Sequence, residues 1–199
     1  HLKRLLLGIG FLFGFLIVDF RELKKIAPHL IIIAILLLII TKGYYLMHGW
    51  NRPARWLYIG SFSVQTSDIA RFSVLLYIAY FIDNKRGKIN GFNVGLLPVF
   101  IVLIIIMGLI IIQPDFSTAI IIGILGITIL YVGGSNLSQL SLSTALGLII
   151  SIPILLSESY RMDRITSYLG RILSFFNPTD IKGVGYQLNQ SLISLGNGG

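Results

Sequence analysis

The chain has 199 residues, of which 55% are hydrophobic and 12% are charged, and 16 basic against 8 acidic side chains give a formal net charge of +8. A soluble domain averages about 25% charged residues, so this composition excludes an ordinary soluble enzyme and indicates a membrane protein. The basic residues lie between apolar runs, which favours lipid head groups or phosphorylated lipids over nucleic acid as their partners.

Apolar segments recur along the chain, and a membrane-spanning helix needs about 20 such residues. Residues 116–157 carry no charge, which is enough for two helices, and the polar sequence at residues 133–139 is typical of the turn between them. Pro28 suits the first turn of the second helix. We therefore predict an all-α, polytopic bundle of about six transmembrane helices. They lie near residues 5–19, 26–46, 67–82, 94–112, 117–133 and 142–157.

Residues 1–199 are interpreted as a single membrane domain, in which residues 158–199 form a long polar loop after the sixth helix. The chain begins with His1 instead of an initiator Met and stops in a glycine-rich stretch, so we expect a fragment of a longer protein. A small-residue stripe, which is typical of close helix packing, lies on the first helix at Gly8, Gly10 and Gly14.

The alternation of spans divides the connecting segments between two sides of the membrane. The first side comprises residues 1–4, 43–66, 113–116 and 158–199, and the second comprises residues 20–25, 83–93 and 134–141. Basic residues in the short loops are nearly balanced between the two sides, so the positive-inside rule alone does not fix the orientation. The polar residues that stand out most lie on the first side.

Two motifs follow the second helix. Arg55 and Trp56 are best explained, on residue type alone, as an interfacial anchor, because both types are enriched at membrane surfaces. The sequence Gln65-Thr-Ser-Asp68-Ile-Ala-Arg71 places an acid and a base three residues apart on one helix face, where they can pair. A lone charge in lipid is expensive, so we expect Asp68 and Arg71 to form a buried or half-buried pair within hydrogen-bond distance of each other or of Gln113. This fits a purely structural ion pair as well as a substrate role.

Two further motifs carry charge. Gln113-Pro-Asp115 joins the fourth and fifth helices, and Asp115 is simplest to explain as the cap of the fifth helix. Arg161 and Arg164 are three residues apart, and two like charges on one helix face are unfavourable unless an anion lies between them. The planar fork of arginine suits phosphate. The alternative for this second motif is a solvated amphipathic segment at the membrane surface.

These motifs, in this order, resemble those of the SEDS family (shape, elongation, division and sporulation proteins). Residues 51–56 resemble its Asn-Gly-Ala-x-Arg-Trp, residues 65–71 its Gln-Pro-Ser-Glu-x-x-Lys, and residues 113–118 its Gln-Pro-Asp-x-Gly-Thr. Residues 160–168 resemble its Tyr-Arg-x-x-Arg-x-x-Ser-Phe, and residues 177–187 its Asp/Asn-Pro-x-x-Asp-Pro-x-Gly-x-Gly-Tyr-Gln with one residue fewer before the acid. The resemblance covers essentially the whole chain, and it implies that the first helix and the C-terminal part of the family are missing.

The resemblance implies a peptidoglycan glycosyltransferase that polymerises lipid II during cell division or elongation, as a multi-pass protein of the bacterial cytoplasmic membrane with residues 158–199 outside the cell. The family's catalytic acid falls on Asp180, which on residue type alone is an ordinary loop acid in a turn. The implied substrate-binding residues are Arg55, Trp56, Arg161, Arg164 and Gln187. The implied supporting residues are Gln65, Asp68, Arg71, Gln113 and Asp115.

The resemblance also implies partners: an undecaprenyl-diphosphate-linked substrate, a class B penicillin-binding protein and membrane lipid, without nucleic acid. A divalent cation, Mg²⁺ or Mn²⁺, is an option as cofactor, although the sequence identifies no metal ligands. Two alternatives stay open. One is a lipid II flippase or transporter, whose polar residues would line a passage near the bilayer midplane. The other is a non-catalytic scaffold for the penicillin-binding protein, and the position of the candidates on the outer side favours the polymerase over both.

Overall fold

The computed structural model describes residues 2–48, 55–59, 62–85, 87–156 and 186–198. Its elements are α1 (Leu2–Ile17), α2 (Phe20–His48), β1 (Trp56–Ile59), β2 (Phe62–Gln65), α3 (Thr66–Asn84), a π-helical turn (Phe92–Leu96) that leads into α4 (Leu97–Ile111), α5 (Phe116–Val132), α6 (Leu137–Leu156) and α7 (Tyr186–Asn197). Residues 1–141 and residues 142–199 form two compact units, and α6 begins in the first unit and continues into the second.

Helices occur at all the positions predicted from the apolar segments, with boundaries that differ by a few residues. Two of them, Phe20–Met47 and Phe92–Ile111, are long and apolar enough to cross a membrane by length and composition. Shorter apolar helices cover Gly8–Ile17, Phe116–Val132 and Leu137–Pro153. The helical character of the chain is therefore confirmed, and the number of membrane spans stays a prediction.

Two segments that were predicted to lack regular structure contain it. The link between α2 and α3 holds an antiparallel hairpin in which Trp56 pairs with Gln65 and Ile59 pairs with Phe62. The all-α prediction is wrong for this segment, because its aromatic and β-branched residues favour paired strands. The predicted polar loop at residues 158–199 ends in the helix α7, whose leucines recur at helical spacing.

The start of α2 is also earlier than predicted. The helix begins at Phe20 instead of residue 26, so the charged link before it is helical. Lys24 forms an ion pair with Asp83 near the end of α3, which fastens this first turn to the bundle. Pro28 consequently lies inside the helix, and its prediction as a first-turn residue was wrong. Its missing N–H leaves one carbonyl of the preceding turn without a helical bond.

The core of the first unit lies between α2, α3, α4 and α5. Each helix contributes fully buried side chains, among them Leu38, Ile78, Ile106 and Ile122. The outward faces of the same helices are also apolar, with large exposed hydrophobic side chains along α2, α4 and α5. A helix that is apolar all round suits surroundings of lipid and not of water.

The two ends of this bundle carry different connections. At one end, Lys24 meets Asp83, and Gly133 after α5 lies directly against the side chain of Ile82. At the other end, Lys42 of α2 reaches the backbone of Ile112, just after α4. This grouping agrees with the alternation of connecting segments predicted from the sequence, as far as the described residues of the first unit extend.

The glycine stripe on α1 does not pack as predicted. A Cβ added at Gly8, Gly10 or Gly14 would meet no atom within 4 Å. In the described part of the chain α1 approaches the bundle elsewhere, where the Phe15 ring meets the Phe72 ring edge-on with centroids 6.0 Å apart. The stripe is therefore an open face of α1 in this structure.

Among the glycines that the structure describes, Gly95 in the π-helical turn has the least room for a side chain. A Cβ there would stand 2.2 Å from the carbonyl oxygen of Ile89, a backbone atom that cannot rotate away. We expect Gly95→Ala to destabilise the protein by roughly 1–3 kcal/mol, as overpacking in cores does. The measurement is the Tm of the purified protein in detergent.

Gly108 in α4 provides the matched control, because a Cβ there would meet nothing within 4 Å. Gly108→Ala is expected to raise the Tm slightly, since alanine is preferred over glycine inside a helix by roughly 0.5–1 kcal/mol. Equal Tm values for Gly95→Ala and Gly108→Ala would contradict the close approach described for Gly95.

Candidate functional site

The predicted site residues fall into two groups. Those whose side chains the structure describes are Arg55, Trp56, Gln65, Asp68, Arg71, Gln113 and Asp115. Asp180, Arg161 and Arg164 lie outside the described residues, and Gln187 is placed only by its position in α7. The first group gathers at one end of the bundle, called the hairpin end below: residues 38–42, 55–59, 62–71 and 112–118. The roles predicted for both groups stay predictions.

Two hydrogen bonds, one donated from each segment to a backbone carbonyl of the other, connect the turn after α4 to the C-terminal half of α2. Gln113, with 1% of its surface exposed, donates from Nε2 to the carbonyl oxygen of Leu38 at 2.9 Å. Lys42 donates from Nζ to the carbonyl oxygen of Ile112 at 3.1 Å. The Oε1 atom of Gln113 has no hydrogen-bond partner among the described residues. A buried amide that reaches a neighbouring backbone in this way fixes the turn, as expected of a supporting residue.

Asp115 precedes the first residue of α5 and contacts two groups. Its Oδ1 accepts a hydrogen bond from the amide of Thr118 at 3.4 Å, which confirms the predicted cap. The same oxygen lies 3.6 Å from Nη1 of Arg55. Arg55 also donates from Nη2 to the carbonyl oxygen of Pro114 at 2.8 Å. The residue before β1 is therefore tied to the turn between α4 and α5, a contact that was not predicted.

The hairpin is connected to the helices on either side of it. Trp56, half-buried at the start of β1, is paired across the strands with Gln65. Gln65 donates from Nε2 to the hydroxyl of Ser67 at 3.1 Å, in the first turn of α3. The buried hydroxyls of Thr41 and Thr66 hydrogen bond at 3.1 Å and so join α2 to α3. Sequence reasoning did not select these two threonines, because threonine inside apolar helices is common and carries no charge.

Asp68 and Arg71 form the predicted ion pair in the first turn of α3. Their side chains are 52% and 38% exposed, so the pair lies at the protein surface and Asp68 is less buried than expected. Gln113, the other partner considered for this pair, bonds to α2 instead. The acid also suits its place near the helix N-terminus, where the helix dipole favours negative charge.

We expect removal of either partner of this surface pair to destabilise the protein more than removal of both. Arg71→Ala leaves Asp68 without its cation beside lipid, whereas the double alanine variant leaves no unpaired charge. A double-mutant cycle on Tm in nanodiscs should give a coupling of roughly 0.5–1 kcal/mol, the scale of exposed pairs. Simple additivity of the two substitutions would contradict this expectation.

Three basic side chains of the hairpin end are held by acceptors of the protein. Arg55 is 43% exposed and contacts Asp115, whose side chain is 5% exposed; Arg71 at the start of α3 is 38% exposed, and Lys42 reaches the backbone of Ile112. Such an arrangement offers cations held by fixed backbone and carboxylate acceptors, which is the way phosphate groups are bound in proteins. In the part of the chain that the structure describes, no group of three or more His, Asp or Glu side chains could hold a metal ion.

Comparison with known proteins adds independent information. The family model for cell cycle proteins of the FtsW, RodA and SpoVE type matches residues 1–199. A relative from Aliivibrio salmonicida, named probable peptidoglycan glycosyltransferase FtsW, is 31% identical over 183 residues, which cover 91% of this chain and 43% of the relative. A relative of the same name from Coxiella burnetii is 30% identical over 201 residues, which cover 100% of this chain and 52% of the relative.

A third relative of that name, from Pseudomonas fluorescens, is 28% identical over 199 residues, which cover 100% of this chain and 47% of the relative. The chain thus spans about half the length of the curated relatives it matches. The matched part includes every motif quoted from the sequence, because the family model extends from the first residue to the last.

Proposed function

Because this chain belongs to the FtsW/RodA/SpoVE family of cell cycle proteins, the SEDS family that its motifs resemble, we propose that it belongs to a peptidoglycan glycosyltransferase that polymerises lipid II. The observation that carries the proposal is the gathering of distant motifs at the hairpin end. Gln113 there reaches Leu38, 75 residues earlier in the chain, and Arg55 meets Asp115. The names of the relatives support the same activity.

The proposed membrane arrangement has six spans in the bacterial cytoplasmic membrane, with the hairpin end and residues 158–199 facing outward. It is supported by the helices at the predicted positions. The charged link at residues 21–25 and the turns at residues 85–90 then face the cytoplasm. Basic residues in the short loops are nearly balanced between the two sides, so this orientation follows the family resemblance and not the positive-inside rule.

In the proposed reaction, a hydroxyl of the acceptor sugar attacks the anomeric carbon of the donor. Asp180 takes the hydroxyl proton as general base, because a carboxylate within hydrogen-bond reach can accept it. The bond from the anomeric carbon to the diphosphate breaks, and the electron pair leaves with undecaprenyl diphosphate. Direct displacement inverts the anomeric centre, unlike the two-step route of retaining glycosidases.

The growing negative charge on the leaving diphosphate needs fixed cations. Arg55 is held at the hairpin end by Asp115 and the backbone of Pro114, and it is assigned to this charge together with Arg161 and Arg164. A divalent cation, Mg²⁺ or Mn²⁺, stays an option as a cofactor that would share this neutralisation. A class B penicillin-binding protein, which cross-links the new strands, is the proposed protein partner.

The experiment that tests the proposal uses the full-length protein and labelled lipid II in detergent micelles. A micelle does not separate two aqueous compartments, so the activity of a flippase or transporter cannot be observed there. A polymerase, in contrast, produces glycan strands that a gel resolves. Polymer made by the purified protein, with or without its partner, supports the glycosyltransferase. Absence of polymer in micelles, together with lipid II translocation in proteoliposomes, would instead support the transporter. Absence of both, with the partner still bound, would support the scaffold.

A further inference from the structure

Asp115 contacts Arg55 in addition to capping α5, and these two roles are separable. The Asp115 side chain is 5% exposed, while the Arg55 side chain is 43% exposed. The Oδ1 atom of Asp115 serves both the amide of Thr118 and Arg55, and its Oδ2 atom has no hydrogen-bond partner within the described ranges. A buried carboxylate is costly without a compensating cation, so the pair fixes where the guanidinium lies.

Arg55 keeps donors for a second anion. A guanidinium has five N–H donors in a rigid plane. The contacts to Asp115 and to the carbonyl oxygen of Pro114 engage Nη1 and Nη2 from the protein side. Among the described residues Arg55 has no further hydrogen-bond partner, and 43% of its side chain is exposed. A planar fork that is already oriented binds phosphate oxygens with less loss of side-chain freedom than a mobile one.

We propose that Asp115 is a positioning residue that orients Arg55 to receive the diphosphate of the lipid-linked substrate. The identity of this ligand rests on the proposed function, whereas the contact between the two side chains does not. Asp115 itself is buried and acts through Arg55, without touching the substrate. Its negative charge is therefore the property that matters for binding, and its capping hydrogen bond is the property that matters for the stability of α5.

Two substitutions separate these properties. Asn caps helices about as well as Asp but is neutral, so Asp115→Asn keeps the cap and loses the hold on Arg55. Glu keeps the charge but is a weaker cap, so Asp115→Glu retains the hold and weakens the start of α5. The two variants should therefore rank differently in the two measurements. Asp115→Asn should bind diphosphate more weakly than Asp115→Glu, and Asp115→Glu should have a lower Tm than Asp115→Asn.

Asn136 supplies a control for loss of a cap elsewhere. Its Oδ1 accepts the amides of Ser138 and Gln139 at 3.1 and 3.2 Å, at the start of α6 and at the other end of the first unit. Asn136→Ala is expected to lower the Tm without weakening diphosphate binding. If it weakens binding as much as Asp115→Asn does, the effect is a general loss of stability and the proposal is overturned.

The test is a double-mutant cycle on binding, with the full-length protein in phosphatidylcholine nanodiscs and undecaprenyl diphosphate as the probe. Asp115→Asn is expected to weaken binding about tenfold when Arg55 is present, as loss of a charge-assisted contact does. In the Arg55→Ala background the same substitution should have no further effect. Equal losses in both backgrounds would overturn the proposal, because Asp115 would then act independently of Arg55.

A parallel series with phosphatidylglycerol identifies the source of the anion. Equal weakening of phosphatidylglycerol binding by Asp115→Asn would overturn the assignment to the diphosphate, and weakening confined to undecaprenyl diphosphate supports it. Binding is measured without turnover, so the two proposals can fail separately. Coupled binding by a protein that makes no polymer would count against the glycosyltransferase and leave the positioning role of Asp115 standing.

Discussion

Replacing Asp180 with Asn is expected to lower the rate of lipid II polymerisation by about 10²–10⁴-fold, the usual contribution of a positioned general base. Asn has nearly the shape of Asp but cannot accept the hydroxyl proton. The measurement is the amount and length of labelled glycan strands on a gel, made by the full-length protein under single-turnover and steady-state conditions. Asp180→Glu keeps the carboxylate and is expected to retain a small part of the activity.

Measurements of Tm and of lipid II affinity distinguish loss of the catalytic base from loss of folding or of substrate binding. Asp180→Asn should keep the wild-type Tm and the wild-type affinity for lipid II, because a base is needed for the reaction and not for the ground state. Wild-type polymerisation by Asp180→Asn would contradict the catalytic role and revive the transporter. Loss of lipid II binding together with activity would instead make Asp180 a substrate-positioning residue.

The second large effect is expected from changing both Arg161 and Arg164 to Lys. Lysine keeps the positive charge but replaces the planar fork by a single ammonium, so bidentate contacts to phosphate are lost. We expect polymerisation to fall by roughly tenfold or more, as two charge-assisted contacts weaken together. The measurement is polymer yield at equal protein level, with undecaprenyl diphosphate binding measured on the same preparations.

Arg171→Lys is the matched control for this pair. It makes the same chemical change in the same segment of the sequence but outside the Tyr-Arg-x-x-Arg motif. Its polymer yield should stay near that of the wild type. Normal polymerisation by the double lysine variant would remove Arg161 and Arg164 from the site, and an equal fall with Arg171→Lys would indicate that overall charge matters and not the motif.

The positions of the helices could be predicted from the sequence because long uncharged runs admit few alternatives. In lipid, backbone N–H and C=O groups must be satisfied within the segment, so an apolar run of spanning length becomes a helix. The boundaries were less predictable. The charged residues 21–25 read as a loop, but a tertiary ion pair between Lys24 and Asp83 holds them in α2.

The hairpin was missed although the sequence contains a signal for it. Two short runs rich in aromatic and β-branched residues, Trp56–Ile59 and Phe62–Gln65, are separated by the two residues Gly60 and Ser61. Such spacing is typical of a tight hairpin. The segment was interpreted as a membrane-surface link because Arg and Trp residues, here Arg55 and Trp56, are common at interfaces. For this reason the two short strand-like runs that follow Arg55 were not recognised.

The contacts of the site were predictable only where they are local. The cap by Asp115 and the pair of Asp68 with Arg71 follow from spacings of three residues, and the structure contains both. The contact between Arg55 and Asp115 joins residues far apart in the chain, and no periodicity connects them. The resemblance placed Arg55 and Asp115 in two separate motifs of the family. It did not predict that their side chains contact each other.

The central claim is that the residues of the hairpin end and the segment with Asp180 work on the outer face of the membrane. Labelling of single cysteines at Ser194 in α7 and at Lys85 after α3 tests it most directly, because both residues are exposed and belong to segments assigned to opposite sides. With a membrane-impermeant maleimide on intact spheroplasts, Ser194→Cys should label and Lys85→Cys should label only after the membrane is permeabilised. Labelling of both from one side, or of Lys85→Cys alone from outside, would contradict the account.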